Sequence, residues 1–174
     1  GLLKNESTKI YREYFSFKKK NLPYLVCKLA CSKNNRIFNN KTAITNYHSK
    51  SVTHLMRYRN QAILTSYKTI NSDNPLLTCR INGLEEFSPI KIVLDTNLKI
   101  KLNSKILKKK NKIYIFHNSL NKNKINTLKK KGAILKKVSK NNKYLDLNEI
   151  MIKIKEAGIS TVLIESGPRL IILF

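Results

Sequence analysis

The segment 161–170, near the C-terminal end, limits the folds open to this chain more than any other part of the sequence. Thr161–Ile164 have the pattern of a buried strand, with three apolar residues after Thr161, and Gly167 and Pro168 follow soon after. Pro168 is favoured in the first turn of a helix, where its missing N–H has no partner to lose. A strand that passes directly into a helix points free backbone N–H groups at one place, which predicts an anion site. Glu165 is expected to hold a polar group of the ligand. The alternative is an ordinary junction that binds nothing.

Strand and helix patterns alternate along most of the chain. The predicted strands are 23–31, 62–65, 76–81, 90–94, 112–116, 133–136 and 161–164, and the predicted helices are 47–60, 123–131 and one that Asp146 caps. The turn residues Asp73-Asn74-Pro75 predict a loop after the second strand. This alternation predicts an α/β fold, with a mostly parallel sheet and helices on both of its faces. In such sheets a ligand binds beyond the carboxyl ends of the strands.

Length and composition exclude several classes of protein. The length of 174 residues fits one domain with a hydrophobic core. No apolar run is long enough to cross a bilayer and no signal-peptide pattern begins the sequence, so we expect a cytoplasmic protein. The three cysteines and three histidines lack the spacing of a metal site. The five glycines do not form the GxGxxG pattern of the standard dinucleotide-binding loop.

The chain is strongly basic, with 35 Lys and Arg residues against 10 acidic residues and a formal net charge of +25. One interpretation is a nucleic-acid-binding protein. The lysine runs 18–20, 108–110 and 129–131 are scattered, however, and aromatic residues are not interleaved with them. We therefore favour the interpretation that the surface is simply rich in lysine and asparagine and does not bind nucleic acid. Such a surface still attracts phosphorylated small molecules.

Polar residues cluster at the predicted ends of strands, where a ligand site is expected. The clusters are 28–32, 69–80, 95–96 and 165–170. Lys28 is unusual because an unpaired ammonium group in an apolar strand is costly to bury, so it either serves a site or reaches solvent from an edge strand. Arg57 and Arg80 are candidates for bidentate binding of a phosphate or carboxylate, with surface salt bridges as the alternative.

Taken in order, the motifs of the chain resemble the reductase domain of the bacterial bifunctional riboflavin-biosynthesis deaminase/reductase. The matching motifs are Lys28-Leu29-Ala30-x-Ser32, Leu55-Met56-Arg57, Ala62-Ile63-Leu64-Thr65-Ser66, Thr69, Asp73-Asn74-Pro75-x-Leu77-Thr78-x-Arg80, Ile92-Val93-Leu94-Asp95-Thr96 and Val162-Leu163-Ile164-Glu165-Ser166-Gly167-Pro168-x-Leu170. The resemblance implies a dihydrofolate-reductase-like fold. It also implies NADPH-dependent reduction of 5-amino-6-(5-phosphoribosylamino)uracil to the ribitylamino compound, with hydride transfer to the sugar C1′ after ring opening.

The resemblance implies roles for individual residues as well. The NADPH site is expected to include Ala30, Thr69, Asp73, Thr96, Gly167, Pro168, Arg169 and Leu170. The substrate site is expected to include Arg57, Leu77, Arg80 and Glu165, with both arginines near the ribose phosphate. The expected catalytic residues are Lys28, Asp73 and Glu165, and no metal ion is expected.

The implied partners are the phosphoribosylated pyrimidine, a second copy of the chain in a homodimer if the C-terminus is complete, and a deaminase domain that is fused or separate. Neither a membrane nor nucleic acid is expected as a partner. We expect residues 1–22 to be a linker from a missing deaminase domain, and 23–174 to be a reductase domain that is incomplete at its C-terminus.

Several positions depart from the family pattern. Asn34 and Asn35 stand where the family has Asp-Gly, Lys41 and Ala43 stand where it has Ser and Trp, and Arg169 replaces a Thr. These changes leave an inactive remnant of the reductase as one alternative, and a basic nucleic-acid-binding protein as another. A pterin reductase of the same fold is disfavoured, because a pterin has no phosphate for the two arginines to bind.

Overall fold

The computed structural model describes residues 2–32, 45–108 and 111–173. Its strands are β1 (Tyr24–Cys27), β2 (Ala62–Ser66), β3 (Ile90–Leu94), β4 (Ile113–His117), β5 (Ala133–Lys137), β6 (Lys140–Asn141), β7 (Tyr144–Leu145) and β8 (Thr161–Ile164). Its α-helices are α1 (Lys4–Ile10), α2 (Arg12–Lys19), α3 (Tyr47–Arg59), α4 (Tyr67–Asp73), α5 (Lys122–Lys130), α6 (Leu147–Glu156) and α7 (Pro168–Ile171). Short 3₁₀ turns lie at Glu85–Phe87 and Lys105–Leu107. None of the helices in the described ranges is both long and apolar enough to cross a membrane.

Six parallel strands form the central sheet, in the order β1-β8-β2-β3-β4-β5. The late strand β8 lies between β1 and β2, where it pairs Val162 with Leu25 on one side and Ile164 with Leu64 on the other. The strands β6 and β7 form a separate antiparallel hairpin. Because the six strands run in the same direction, their carboxyl ends lie at one edge of the sheet. The insertion of β8 therefore brings Glu165 and the residues after it beside the ends of β1 and β2.

Each face of the sheet is covered by its own hydrophobic core. Ile63 and Leu64 of β2 belong to different cores, because successive side chains of a strand point to opposite faces. The core of Leu64 includes Ile150 of α6, and the core of Ile63 includes Ile70 of α4 and Leu128 of α5. The predicted α/β class, with a mostly parallel sheet and helices on both faces, is confirmed.

The boundaries of the predicted helices follow from capping chemistry in the sequence. Asn46 begins α3, because its Oδ1 accepts a hydrogen bond from Ser49 N at 2.9 Å. Asp146 begins α6 in the same way and accepts from Glu149 N at 3.0 Å. Gly132 follows α5 with a φ of +84°, a left-handed conformation that side chains disfavour. The helices predicted from these signals are confirmed to within a residue or two. Helix α6 ends at Glu156, and Ala157 is its C-cap, just before Gly158.

The predicted strand 23–31 is too long, since β1 ends at Cys27 and lies at an edge of the described sheet. The physical reason is that the neighbouring strand, β8, is short. Cys27 pairs with Ile164, the last residue of β8, so β1 has no partner beyond that position. Only the N–H of Lys28 continues the ladder, by donating to Ile164 O at 3.0 Å.

The loop predicted before Pro75 is wrong, because α4 occupies most of it. Ser66 Oγ accepts from Thr69 N at 3.4 Å and caps the start of α4. Asn74 then adopts a left-handed conformation, with a φ of 44°, and ends the helix. This Ser-x-x-Thr cap was a signal that the sequence analysis missed. The predicted strand 76–81 is also wrong, since none of it joins the sheet.

Two further features were not predicted. Residues 1–22, expected to be a linker, include α1 and α2, and the Arg12 guanidinium of α2 lies 5.2 Å from the ring centre of Tyr24 on β1. The relation of this segment to a deaminase domain stays a prediction. The hairpin of β6 and β7 turns at Asn142, whose φ is 56°. Two-residue strands carry too little periodicity to be recognised in a sequence.

We predict that Leu64→Ala and Ile63→Ala each lower the free energy of unfolding by about 2–5 kcal/mol, because each removes a fully buried side chain from one of the two cores. Ile152→Ala is the matched control, since Ile152 of α6 is 47% exposed and its truncation should cost less than about 1 kcal/mol. Urea denaturation measures all three. If only one face were covered, one of the two core variants would be as stable as the control.

Candidate functional site

Three chain segments meet at the carboxyl edge of the sheet, where β1, β2 and β8 end. Glu165 N donates to Leu64 O at 3.0 Å, and Lys28 N donates to Ile164 O at 3.0 Å. These bonds extend the ladder by one residue beyond β8 and β1. They fix the backbone from which the Lys28 and Glu165 side chains emerge.

Two adjoining clefts open at this edge. Their volumes are about 680 Å³ and about 500 Å³, in the range of small-molecule sites. The two clefts share Lys68, Thr69, Ser166, Gly167 and Pro168. Clefts with a common wall can hold two molecules in contact, which any direct transfer between two bound molecules requires.

All eight residues predicted for the cofactor site line these clefts. Thr96, Arg169 and Leu170 line the larger cleft, Ala30 and Asp73 line the smaller one, and Thr69, Gly167 and Pro168 line both. The three residues predicted to be catalytic, Lys28, Asp73 and Glu165, all line the smaller cleft. Of the four residues predicted for the substrate, Glu165 alone belongs to a cleft wall; Arg57, Leu77 and Arg80 do not. The structure thus brings most of the predicted site together, while the role of each residue stays a prediction.

Arg57 is joined to the site through Glu165. Its Nε and Nη2 donate to the two carboxylate oxygens of Glu165 at 3.0 and 2.7 Å, and its Nη1 donates to Thr78 O at 3.0 Å. The side chains of Arg57 and Glu165 are only 10% and 17% exposed. A bidentate pair of this kind fixes the orientation of the carboxylate. Both residues were predicted for the substrate site, but their pairing was not predicted, because they lie 108 positions apart.

His54 is a residue of this region that the sequence analysis missed. Its Nδ1 lies 3.2 Å from both Thr78 O and Arg80 N, and its Nε2 lies 3.4 Å from Arg80 Nε. Partial burial and the positive charges of Arg57 and Arg80 lower the pKa of His54, which favours a neutral ring near pH 7. Its spacing was a signal that could have identified it. His54 and Arg57 are three positions apart on α3, and residues three apart on a helix lie on the same face.

Three hydroxyl groups form a polar triangle in the wall of the clefts. Ser66 Oγ lies 3.3 Å from Thr69 Oγ1 and 3.4 Å from Ser166 Oγ, and the last two atoms lie 3.2 Å apart. The triangle forms because Ser66 ends β2 and Ser166 follows the neighbouring β8. Each hydroxyl can both donate and accept, so the triangle can adapt to a polar ligand.

Asp95 supports the larger cleft although it does not line it. It is fully buried at the end of β3, and its two carboxylate oxygens accept from Lys99 N and Ile100 N, each at 2.7 Å. Burial raises the pKa of Asp95, and the two hydrogen bonds oppose that rise. By closing the loop 95–100 the carboxylate fixes Thr96, which lines the cleft.

The two clefts differ in charge. The described wall of the larger cleft contains Lys68 and Arg169 and no acidic side chain, which suits an anionic ligand. The smaller cleft has both signs, with Lys28 and Lys68 against Asp73 and Glu165. Within the described ranges, no group of three or more His, Cys, Asp and Glu residues could hold a metal ion.

The turn into α7 has the predicted form. Gly167 precedes the helix, Pro168 takes its first position, and the exposed side chain of Arg169 contributes to the larger cleft. This arginine is the one departure from the family pattern that the described residues include. The others, Asn34, Asn35, Lys41 and Ala43, lie outside the described residues.

Comparison with known proteins identifies a family. A model of the RibD C-terminal domain matches residues 23–174. The riboflavin biosynthesis protein RibD of Aquifex aeolicus (strain VF5) is 27% identical over all of this chain and 48% of its own length. The RibD protein of Buchnera aphidicola subsp. Baizongia pistaciae (strain Bp) is 29% identical over 98% of this chain and 49% of its own length. The chain thus spans about half the length of these curated relatives.

Solved structures show the same fold. Acinetobacter baumannii RibD superposes with a TM-score of 0.79 at 20% identity, over 98% of this chain and 47% of that one. The Saccharomyces cerevisiae riboflavin biosynthesis reductase Rib7 superposes with a TM-score of 0.66 at 21% identity, over 95% of this chain and 74% of that one. The predicted dihydrofolate-reductase-like fold is confirmed.

We predict that Arg57→Ala lowers the free energy of unfolding by about 3–5 kcal/mol, because the largely buried Glu165 carboxylate loses its partner. The double variant Arg57→Met/Glu165→Leu should recover much of this loss, since it leaves no unpaired charge. Lys153→Ala is the control: it breaks the 3.4 Å pair with Glu149, which is far more exposed, and should cost less than about 1 kcal/mol. Urea denaturation measures each variant. Equal, small losses in Arg57→Ala and Lys153→Ala would contradict a buried pair.

Proposed function

The chain belongs to the RibD C-terminal domain family, and we propose that it reduces 5-amino-6-(5-phosphoribosylamino)uracil to the ribitylamino compound with NADPH. One observation carries this proposal: the predicted cofactor and catalytic residues converge on two clefts that share a wall. A reductase must hold the hydride donor against the carbon that it reduces, and most of its catalytic power comes from that positioning. Adjoining clefts meet this requirement.

We assign the phosphates of NADPH to the larger cleft, and we propose that the cofactor reaches along the shared wall to Ala30 and Asp73 of the smaller cleft. Lys68 and Arg169 supply positive charge for its phosphates, and the wall contains no described acidic side chain that would repel them. The hydroxyls of Thr69 and Ser166, which lie in both clefts, are available to its polar groups. When bound, NADPH supplies the hydride.

We assign the pyrimidine and its sugar to the smaller cleft. Ring opening of the sugar moves a proton from the glycosyl nitrogen to the ring oxygen, and reduction of the resulting imine at C1′ requires one more proton at that nitrogen. The described wall of the smaller cleft contains four titratable side chains that can move these protons. Lys68 belongs to the shared wall, and Lys28, Asp73 and Glu165 belong to the smaller cleft alone. Glu165, which Arg57 orients, is suited to accept hydrogen bonds from the sugar or the base.

We assign the phosphate of the substrate to Arg80. Arg57 is already engaged by Glu165 and Thr78 O, so it acts through Glu165, whereas the side chain of Arg80 is exposed. Leu77, three residues earlier, is buried and adopts a φ of 51°. A non-glycine residue in this left-handed conformation must be held by its surroundings, which is common near functional sites.

The family resemblance supports three further parts of the proposal. The protein acts in the cytoplasm, it forms a homodimer if its C-terminus is complete, and a deaminase domain works with it, either fused or separate.

The proposal is tested by following NADPH oxidation with 5-amino-6-(5-phosphoribosylamino)uracil. Arg80→Ala should raise the KM for the pyrimidine about 10- to 100-fold, because a charge-assisted bond to phosphate is lost, and should leave the KM for NADPH unchanged. Arg59→Ala, at an exposed position of the same α3 helix as Arg57, is the control and should change neither. Equal loss of affinity for both ligands in Arg80→Ala would refute the assignment of Arg80. A folded wild-type chain without turnover would refute the proposed activity.

A further inference from the structure

A continuous set of polar contacts runs from the smaller cleft to Arg80. Glu165 accepts from Arg57, and Arg57 Nη1 donates to Thr78 O at 3.0 Å. The same carbonyl oxygen lies 3.2 Å from His54 Nδ1, and His54 Nε2 lies 3.4 Å from Arg80 Nε. His54 is therefore the residue that joins the Arg57–Glu165 pair to the arginine assigned to the substrate phosphate.

The donors and acceptors around His54 favour one position for its ring proton, because that position makes two of the three hydrogen bonds open to the ring. Arg80 Nε carries a hydrogen and can only donate, so a hydrogen bond at this position requires a bare His54 Nε2. The neutral ring must then carry its proton on Nδ1, and that N–H donates to Thr78 O. Thr78 O can accept both this bond and the one from Arg57, because a carbonyl oxygen has two lone pairs.

The other neutral form of the ring fits the surroundings less well. A bare Nδ1 would accept from Arg80 N at 3.2 Å, a bond that the ring protonated at Nδ1 gives up. In exchange it would lose the two bonds to Thr78 O and from Arg80 Nε, and Nε2–H would face the N–H of Arg80 Nε with no acceptor between them. The charged form would bring a third positive charge beside Arg57 and Arg80, with Glu165 as the opposing negative charge. Partial burial and the two arginines lower the pKa of His54 and so disfavour that form.

We propose that His54 is a positioning residue of the substrate-phosphate site: its neutral ring, protonated at Nδ1, holds Arg80 by Nε and leaves the two terminal amino groups of the guanidinium free to bind phosphate. This inference rests on the proposed function, since it assumes that Arg80 is the phosphate ligand. Holding a long side chain in its binding conformation beforehand lowers the entropy that binding would otherwise cost. The effect falls on affinity for the phosphate and not on hydride transfer.

Binding of ribose 5-phosphate to the 174-residue chain, followed by NMR, tests this role without turnover. His54→Leu keeps an apolar side chain but no acceptor, and should weaken binding about tenfold, the size expected for one hydrogen bond to a charged group. His54→Gln has an amide oxygen that can accept from Arg80 Nε, and should restore affinity to within about threefold of wild type. His48→Gln is the matched control, because His48 is an exposed histidine at the start of the same helix, and it should bind as wild type does.

The outcomes separate this inference from the proposed function. If wild type fails to bind ribose 5-phosphate, the assignment of Arg80 to the phosphate and the role of His54 are both refuted, whereas the proposed reduction is judged separately by turnover. If wild type binds and His54→Leu binds equally well, only the role of His54 is refuted. NADPH affinity is measured in parallel, and an equal loss for NADPH in His54→Leu would indicate general damage and refute a specific role.

The protonation state of the ring gives a second, independent test on the wild-type chain. Long-range ¹H–¹⁵N NMR spectra distinguish a proton on Nδ1 from one on Nε2. We expect the proton of His54 on Nδ1, together with a ring ¹⁵N signal for Nε2 typical of a hydrogen-bond acceptor. A proton on Nε2 would overturn the proposal, even if His54→Leu does not fold well enough for binding studies.

Discussion

The site depends on one buried ion pair, between Arg57 at the end of α3 and Glu165 just beyond β8. The pair connects parts of the chain that are 108 positions apart, and it does so with two hydrogen bonds of fixed geometry. Removing charges from water costs free energy that the attraction between them offsets only when both partners are well oriented. Such a pair adds little net stability but strongly favours one arrangement. It holds a carboxylate at a set position in the smaller cleft, which a reaction between two bound molecules needs.

The topology of the sheet decides which residues can join this pair. Because β8 lies between β1 and β2, the last described segment of the chain meets the first strand and the second at their carboxyl ends. Lys28, Ser66 and Glu165 therefore meet at one edge, although the sequence separates them widely. The same arrangement gives the two clefts a common wall at Thr69 and Gly167. The larger cleft is lined by two cations, Lys68 and Arg169, and by no described acidic side chain.

The sequence predicted those parts of the fold that depend on local chemistry. Helix α3 and helix α6 were found because Asn46 and Asp146 cap them, and β8 was found because three of its four residues are apolar and a Gly-Pro turn follows. It failed where structure depends on distant partners: β1 stops because β8 stops, and Glu165 is occupied by Arg57 before any ligand arrives. Helix α4 was not predicted, because its cap at Ser66 is weak. The role of His54 was not predicted either, because it depends on contact with Arg80, which lies 26 positions away. The family motifs identified the residues that line the clefts, but the pairing of Arg57 with Glu165 could be seen only in the folded structure.

Equilibrium binding of NADPH to the 174-residue chain, followed by the fluorescence of the nicotinamide at two salt concentrations, tests the proposed cofactor site. NADH and a short DNA duplex are the controls. We predict saturable binding of NADPH that exceeds binding of NADH. We also predict that duplex DNA binds only weakly and that this binding is lost as salt rises, because it depends on charge alone. A folded chain that does not bind NADPH, or that binds DNA tightly and saturably at both salt concentrations, would contradict a reductase site in these clefts.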